Sequence, residues 1–235
     1  MSPKGRPEGE YRSAQREGTP VSELELRGAV IATALAMNDA GINRGKSGNV
    51  SARLQSGGFD GFLVTPSALP YAQTTPADIV AVSLGGEAHG PRPPSSEWRF
   101  HRDIYTHRED AQAVVHAHSP FATSLACLRR GIPAFHYMVA VAGGNDIRCA
   151  PYATFGTQAL SDNVVAALAG RTACLMANHG LVAIGSSLDA ALALAVEVET
   201  LAQMYWSALQ AGEPVLLPDT EMEVVLAKFA SYGRA

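Results

Sequence analysis

Two histidines one residue apart, His116 and His118, lie in the run Ala113-Val114-Val115-His116-Ala117-His118, whose β-branched residues read as a strand. Side chains two apart on a strand leave the same face, so both imidazoles can reach one metal ion. A third histidine, His179, stands between an expected strand and the turn at Gly180. Three histidines around an open position are the donor set of a catalytic metal ion, zinc or another divalent metal, and not of a closed structural site. Any one of the seven histidines alone is an ordinary core or surface residue. The pair and the distant third together point to metal. His101 falls one helical turn after Glu97 and His107 ends the same helix, and both read as structural or surface residues. His136 precedes Tyr137 and is placed to orient it.

Ser95-Ser96-Glu97 is the second constellation. Two serines at a helix start offer hydroxyls and free N–H groups to an anion, and the same triplet is also a good helix cap. Gly48-Asn49 and the turn Thr65-Pro66-Ser67-Ala68 add further donors, and Lys46 adds a cation that is otherwise a solvated surface residue.

The elements that must position these groups follow from periodicity. Residues 1–21 mix Gly, Pro, Ser, Glu and Arg without an apolar period and read as a disordered extension, with one domain over 22–235. Ser22 and Glu25 have capping-box spacing, and the helix they open runs to a stop near Gly41. Short strands are expected at Asn49 to Arg53 and Gly61 to Thr65 around Ser56-Gly57-Gly58, and again at Val80 to Leu84. Helices follow from Glu97 to about Thr106 and from Phe121 to Arg129. Ala159 to Ala169 is helical, with strands at Ala173 to Asn178 and Leu181 to Ile184. Leu188 to Gln210 is a long helix whose Glu197 and Glu199 read as solvated, and a last helix spans about Asp219 to Ala230. Without strict strand-helix alternation, this is a single α/β domain on a mixed or antiparallel sheet flanked by helices.

Composition sets the outer limits. With 47% hydrophobic and 17% charged residues, the chain has ample material for one core, and its net charge of −4 carries no basic face for nucleic acid. Cys127, Cys149 and Cys174 are too few and too scattered for a disulfide framework, which suits a reducing compartment. No apolar run approaches the roughly 20 residues of a membrane span, and the N-terminus reads as no secretory signal. A cytoplasmic protein is expected, with no membrane or nucleic-acid partner.

The motifs carry a resemblance. Gly48-Asn49-Val50-Ser51, Pro94 to His101, Ala113 to His118, Ile132 to Met138, Ala142 to Gly156, Asn178-His179-Gly180-Leu181 and Lys228 to Gly233 together resemble the class II aldolase/adducin family over roughly residues 24 to 233. The resemblance implies a metal-dependent aldolase acting on a ketose 1-phosphate: L-fuculose, 5-deoxyribulose or 5-methylthioribulose 1-phosphate. The products would be dihydroxyacetone phosphate and a small aldehyde, through a zinc-stabilised enediolate. It implies zinc on His116, His118, His179 and Glu97, with Glu97 the general base once substrate displaces it. Phosphate falls to Asn49, Ser67, Ala68, Ser95 and Ser96, although the family usually has glycine where Ala68 stands. Tyr137 of a neighbouring subunit would be the acid on the aldehyde oxygen, in a homotetramer with sites at subunit interfaces. Ser47, Phe155, Phe229 and Tyr232 would face the aldehyde.

Related chemistries give rival readings. The pentulose-phosphate 4-epimerases of this architecture typically carry aspartate where Glu97 stands, and a different segment around Tyr137. Sugar-acid phosphate decarboxylases and a methylthio-pentulose phosphate dehydratase are also related. Adducin-like head domains are non-enzymatic binders that have lost the metal ligands, all of which this sequence keeps.

Overall fold

The computed structural model describes residues 22–231, so the expected extension over residues 1–21 and Tyr232 lie outside the described residues. The first helix, α1 (Glu23–Asp39), starts at the capping box. The Ser22 hydroxyl takes the Glu25 N–H at 3.3 Å, and the Glu25 carboxylate takes the Ser22 N–H at 2.8 Å. The helix stops before Gly41, which takes a left-handed φ of 73°.

Eight strands follow: β1 (Asn49–Ser56), β2 (Phe59–Val64), β3 (Val80–Ser83), β4 (Ala88–His89), β5 (Ala113–Ala117), β6 (Cys149–Ala150), β7 (Ala173–Met176) and β8 (Gly180–Gly185). They form one sheet in the order β4-β3-β2-β1-β5-β8-β7-β6. Every neighbouring pair is antiparallel except β6 with β7. The β1–β2 hairpin closes on Gly57 and Gly58 at φ 58° and 86°, a two-residue turn with both φ positive that glycine adopts without steric cost. The two-residue strands β4 and β6, and the 3-10 helix Tyr137–Ala142, have too short a period to be read from sequence.

Five further helices complete the layers: α2 (Trp98–His107), α3 (Pro120–Cys127), α4 (Gln158–Ala167), α5 (Leu188–Ala211) and α6 (Asp219–Ser231). The strand period of two sorts residues between them. Ala113, Val115 and Ala117 of β5, with Leu181 and Ala183 of β8, pack in one core with α1, α3 and α5. Val114 of β5, with Val182 and Ile184 of β8, packs in the other with α2 and α4. His116 has the parity of Val114, so it leaves the sheet on the α2 side. In β1, Asn49 and Ser51 share that parity, because Asn49 pairs with His116 and Ser51 with Val114.

Glu199 corrects the sequence reading of α5, which left it solvated. It is half-buried, and its carboxylate takes the Ser119 hydroxyl at 2.6 Å and the N–H groups of Phe121 and Ala122 at 2.8 Å each. Those are donors of the first turn of α3, where Pro120 has none to offer. A helix period shows only that Glu199 lies off the apolar stripe; the partner 77 residues away is supplied by the fold. Glu199→Ala should therefore cost about 2–3 kcal/mol by exposing two helix-start N–H groups to an apolar layer. Urea unfolding measures this, and a change below about 0.5 kcal/mol, the range of ordinary surface substitutions, would show that solvent replaces the carboxylate.

Candidate metal centre and catalytic cleft

Strand geometry aims His116. Its Nδ1–H donates to the Leu181 carbonyl on β8 at 2.8 Å, and a carbonyl can only accept, so the ring proton sits on Nδ1 and the Nε2 lone pair is free. His118 follows directly after the end of β5, and its Nε2 stands 3.1 Å from that of His116. His179 lies in the tight turn between β7 and β8, where Asn178 takes φ 54° and the His179 N–H returns to the Met176 carbonyl at 3.0 Å. Asparagine is among the few residues that enter the left-handed region at modest cost. The turn also needs Gly180, because a Cβ there would run into the Ala117 carbonyl and stand 3.0 Å from the His118 ring.

Glu97 occupies the N-cap position of α2, but its side chain caps nothing. The Ser95 hydroxyl takes the Glu97 N–H instead, at 3.3 Å, and the carboxylate turns toward the histidines. Oε2 lies 3.2 Å from His116 Nε2, and Oε1 lies 3.0 Å from His179 Nε2. One ligand atom from each of Glu97, His116, His118 and His179 falls within 4.8 Å of the others. Oε1 is buried and has no hydrogen-bond partner. A buried carboxylate oxygen with no hydrogen-bond partner, 3.0 Å from His179 Nε2 and beside the free Nε2 lone pair of His116, fits a divalent cation at their centre.

The electrostatics follow from this crowding. Burial alone raises the Glu97 carboxyl, but the imidazoles of His116 and His179 beside it outweigh that and hold it well below the usual carboxylate range. Burial, with His116 and His179 beside it, holds His118 at about 4 against the pull of Glu97. Burial and His116 hold the fully buried His101 at about 3. Burial and Glu97 together raise the Tyr71 hydroxyl, which donates to the Gly48 carbonyl.

The serine loops meet beside this cluster. Pro66 and Pro94 form an isolated bridge, the Ser67 N–H donates to the Pro93 carbonyl at 3.1 Å, and the Ser95 N–H donates to the Thr65 carbonyl at 3.0 Å. Those two N–H groups are spent, whereas Ala68 and Ser96 have no backbone acceptor for theirs among the described residues. Ala68 adopts φ 61°, so the left-handed turn persists with a Cβ, at roughly 1–2 kcal/mol of strain. Lys46 spans the turn, its Nζ donating to the Ala68 carbonyl at 2.8 Å. Asn49, expected at the anion, is engaged here with Glu97, its Nδ2 donating to Oε2 at 3.0 Å.

A cleft of about 330 Å³ opens over the metal cluster, lined by Ser47, Ser96, Glu97, His118, Tyr152, Ala153, Phe155, Asn178 and His179. Ser47 and Phe155, two of the residues expected at the aldehyde, line this cleft with Glu97, His118 and His179. Tyr152 and Asn178 were not singled out as site residues, although both lie in the motifs that carry the resemblance; Tyr152 is on the loop after β6, in a segment without period. Tyr137 and Phe229 line a separate, larger hollow of about 800 Å³ with Phe135, Met138 and Lys228, their rings stacked at 6.5 Å. That hollow holds none of the metal-cluster residues, so chemistry, and not size, identifies the smaller cleft as the site. His136 accepts the Met138 N–H at 3.2 Å and lies against Tyr137.

The profile of the class II aldolase and adducin N-terminal domain family matches residues 28–206. This chain belongs to that family. It is 56% identical over 214 residues to the 5-methylthioribulose-1-phosphate/5-deoxyribulose-1-phosphate aldolase of Rhodospirillum rubrum, covering 91% of this chain and 95% of the relative. It is 49% identical over 210 residues to the L-fuculose phosphate aldolase of Escherichia coli K12, covering 89% and 96%. A solved L-fuculose 1-phosphate aldolase superposes with a TM-score of 0.82 at 40% identity, over 88% of this chain and 96% of that one. The fold is therefore that of the class II aldolases. No helix among the described residues is long and apolar enough to cross a membrane.

Two outcomes follow from the packing of this family member's site. Gly180→Ala should push β8 away from Ala117 and displace both His118 and His179. Metal binding, read by competition with a chromophoric chelator, should weaken at least ~10-fold, in the range for lost ligand support; unchanged affinity would refute the close-approach account. The second outcome concerns pH. His101 and His118 are held neutral in the fold below their ordinary 6.5, so the unfolded chain binds more protons as pH falls through 6.5. The metal-free protein should lose stability on acidification from about pH 6.5 to about 4, and Glu97, depressed when folded, adds to the loss below its ordinary 4.5. Urea midpoints at several pH values test this; a flat profile would contradict it.

Proposed function

We propose that this chain is a metal-dependent class II aldolase that reversibly cleaves a ketose 1-phosphate into dihydroxyacetone phosphate and a small aldehyde. The observation that carries the reading is the buried Glu97 oxygen without a donor, facing imidazole nitrogens beneath an open cleft. We assign His116, His118, His179 and Glu97 as ligands of zinc, the divalent ion best suited to three imidazoles and a carboxylate with an open position. Bound there, the ion supplies Lewis-acid polarisation of the ketose oxygens and offsets the negative charge that develops on them.

The chain's own groups do the rest. Glu97, in the condensation direction, takes a proton from the hydroxymethyl carbon once substrate displaces its carboxylate. Asn49, Ser67, Ala68, Ser95 and Ser96 receive the phosphate through hydroxyl, amide and backbone donors, the last two sitting at the start of α2. Tyr137, half exposed and outside the cleft of its own chain, is assigned to the cleft of a second copy in a homotetramer, where it protonates the aldehyde oxygen. Cleavage retraces these steps.

For the aldehyde end, Ser47 and Phe155 line the cleft with Tyr152 at its rim, and Phe229, beside Tyr137 in the separate hollow, is assigned with it to the cleft of the second copy, with Tyr232 assigned to the same pocket. Tyr152 and Phe155 are 54% and 65% exposed, an apolar wall suited to a methyl or thioether terminus. That wall, together with the 56% identity to the relative from Rhodospirillum rubrum, favours 5-deoxyribulose and 5-methylthioribulose 1-phosphates as substrates beside the family default, L-fuculose 1-phosphate. A hydrophobic pocket separates such substrates by only about 1–3 kcal/mol per methylene, so all three are expected to react.

The test is release of dihydroxyacetone phosphate from each of the three, followed by a coupled assay with and without chelator. Chelator-sensitive release is expected, with Glu97→Gln retaining zinc and losing at least ~100-fold in kcat, the usual scale of a lost general base. No release from any of the three by zinc-loaded protein would turn the assignment to the epimerase or decarboxylase chemistries.

A further inference from the structure

We propose that His101 is a positioning residue: a neutral imidazole with its proton on Nε2, it holds the Asn49 amide turned so that its N–H side faces Glu97. The proposal rests on the reading of Glu97 as metal ligand and base.

Four hydrogen bonds run in series through the buried layer between α2 and the sheet. Tyr105 Oη lies 2.8 Å from Ser51 Oγ, which lies 2.6 Å from His101 Nδ1. His101 Nε2 lies 2.5 Å from Asn49 Oδ1, and Asn49 Nδ2 lies 3.0 Å from Glu97 Oε2. All five side chains belong to residues that are buried, His101 at 0% exposure. The His101 ring is also sandwiched, stacked on Phe100 at 4.6 Å and on Phe62 at 6.4 Å, so it cannot turn over without opening the core.

The polarity of the series is decided at one end. An ionised carboxylate only accepts, so Asn49 must present Nδ2 to Glu97 and therefore Oδ1 to His101. Oδ1 only accepts, so His101 must carry its proton on Nε2. Nδ1 then accepts the Ser51 O–H, and Ser51 Oγ accepts the Tyr105 O–H. The opposite polarity would set Oδ1 against the Glu97 anion, with no donor between them. Read from the other end, the imidazole keeps the amide from flipping. Oε2 is thereby anchored, and Oε1 is left as the oxygen without a hydrogen bond. The sequence reading took His101 as structural or surface; its partners arrive from β1, some 50 residues away in the chain.

Three variants separate positioning from mere packing. The amide nitrogen of His101→Gln reaches the place of Nε2 and can still donate to Asn49. His101→Asn reaches only the place of Nδ1, and His101→Leu donates nothing. Zinc affinity of the purified protein and kcat should both fall ~10–100-fold in the Asn and Leu variants, the range for loss of a group supporting a metal ligand, with KM changing less than kcat. The Gln variant should recover most of both. Equal zinc affinity and kcat in the Gln and Asn variants, or wild-type values in the Leu variant, would overturn the proposal. The wild-type protein supplies a measurement that needs no variant: nitrogen-15 NMR of its histidine rings should show one neutral, non-exchanging ring protonated on Nε2. The His101 ring, identified by the signal lost in the His101→Leu variant, found protonated on Nδ1 or on both nitrogens would overturn it as well. Zinc affinity and the ring tautomer are read without turnover. A wild-type protein that cleaves no ketose phosphate therefore sinks the aldolase reading while leaving this one to its own test.

Discussion

Burial of one ionised carboxylate is the constraint around which this molecule is arranged. A carboxylate taken out of water is unfavourable by several kcal/mol unless charge or donors replace its hydration. Glu97 finds that replacement in His116 and His179 on one side and in the Asn49 amide on the other. One oxygen is satisfied by an amide, and the other looks into the cluster with nothing to accept from. That asymmetry leaves Oε1 open to a cation while Oε2 stays anchored.

Each group around the carboxylate arrives by a different structural device. Strand parity brings His116, Asn49 and Ser51 to the α2 face, since alternate residues of β1 and β5 serve the opposite core. A left-handed asparagine and a glycine without room for a Cβ bring His179 around from β7. The helix α2 brings Glu97 at its first position and His101 one turn later, the latter reaching back to β1. Moving any of these elements by a fraction of its spacing would leave an unpaired buried charge, so the sheet register and the site are the same constraint seen at two scales.

The cleft is divided in its character. Its floor is polar and preorganised by hydrogen bonds, while its rim is aromatic and exposed at Tyr152 and Phe155. A polar floor suits the charged and hydroxylated parts of a ligand, and an exposed aromatic rim suits an apolar end. Lys46 and the strained Ala68 are joined by one hydrogen bond.

Much of this was legible in the chain itself. Local rules decide a capping box, a Gly-Gly hairpin and a His-x-His strand, because the groups that interact lie within a few residues of one another. So Ser22 with Glu25, Gly57 with Gly58, and His116 with His118 could be read directly, and the ordered motifs gave the family. The partners of Glu199, His101 and Asn49 could not, because each hydrogen bond spans 48 residues or more and no local period encodes it. Tyr152 and the two-residue strands β4 and β6 escaped for the complementary reason, that segments so short have no period to show. Sequence alone determined which residues were able to do chemistry. Only the tertiary structure decided which buried donor each one faces, because that depends on how the helices pack on the sheet around one charge.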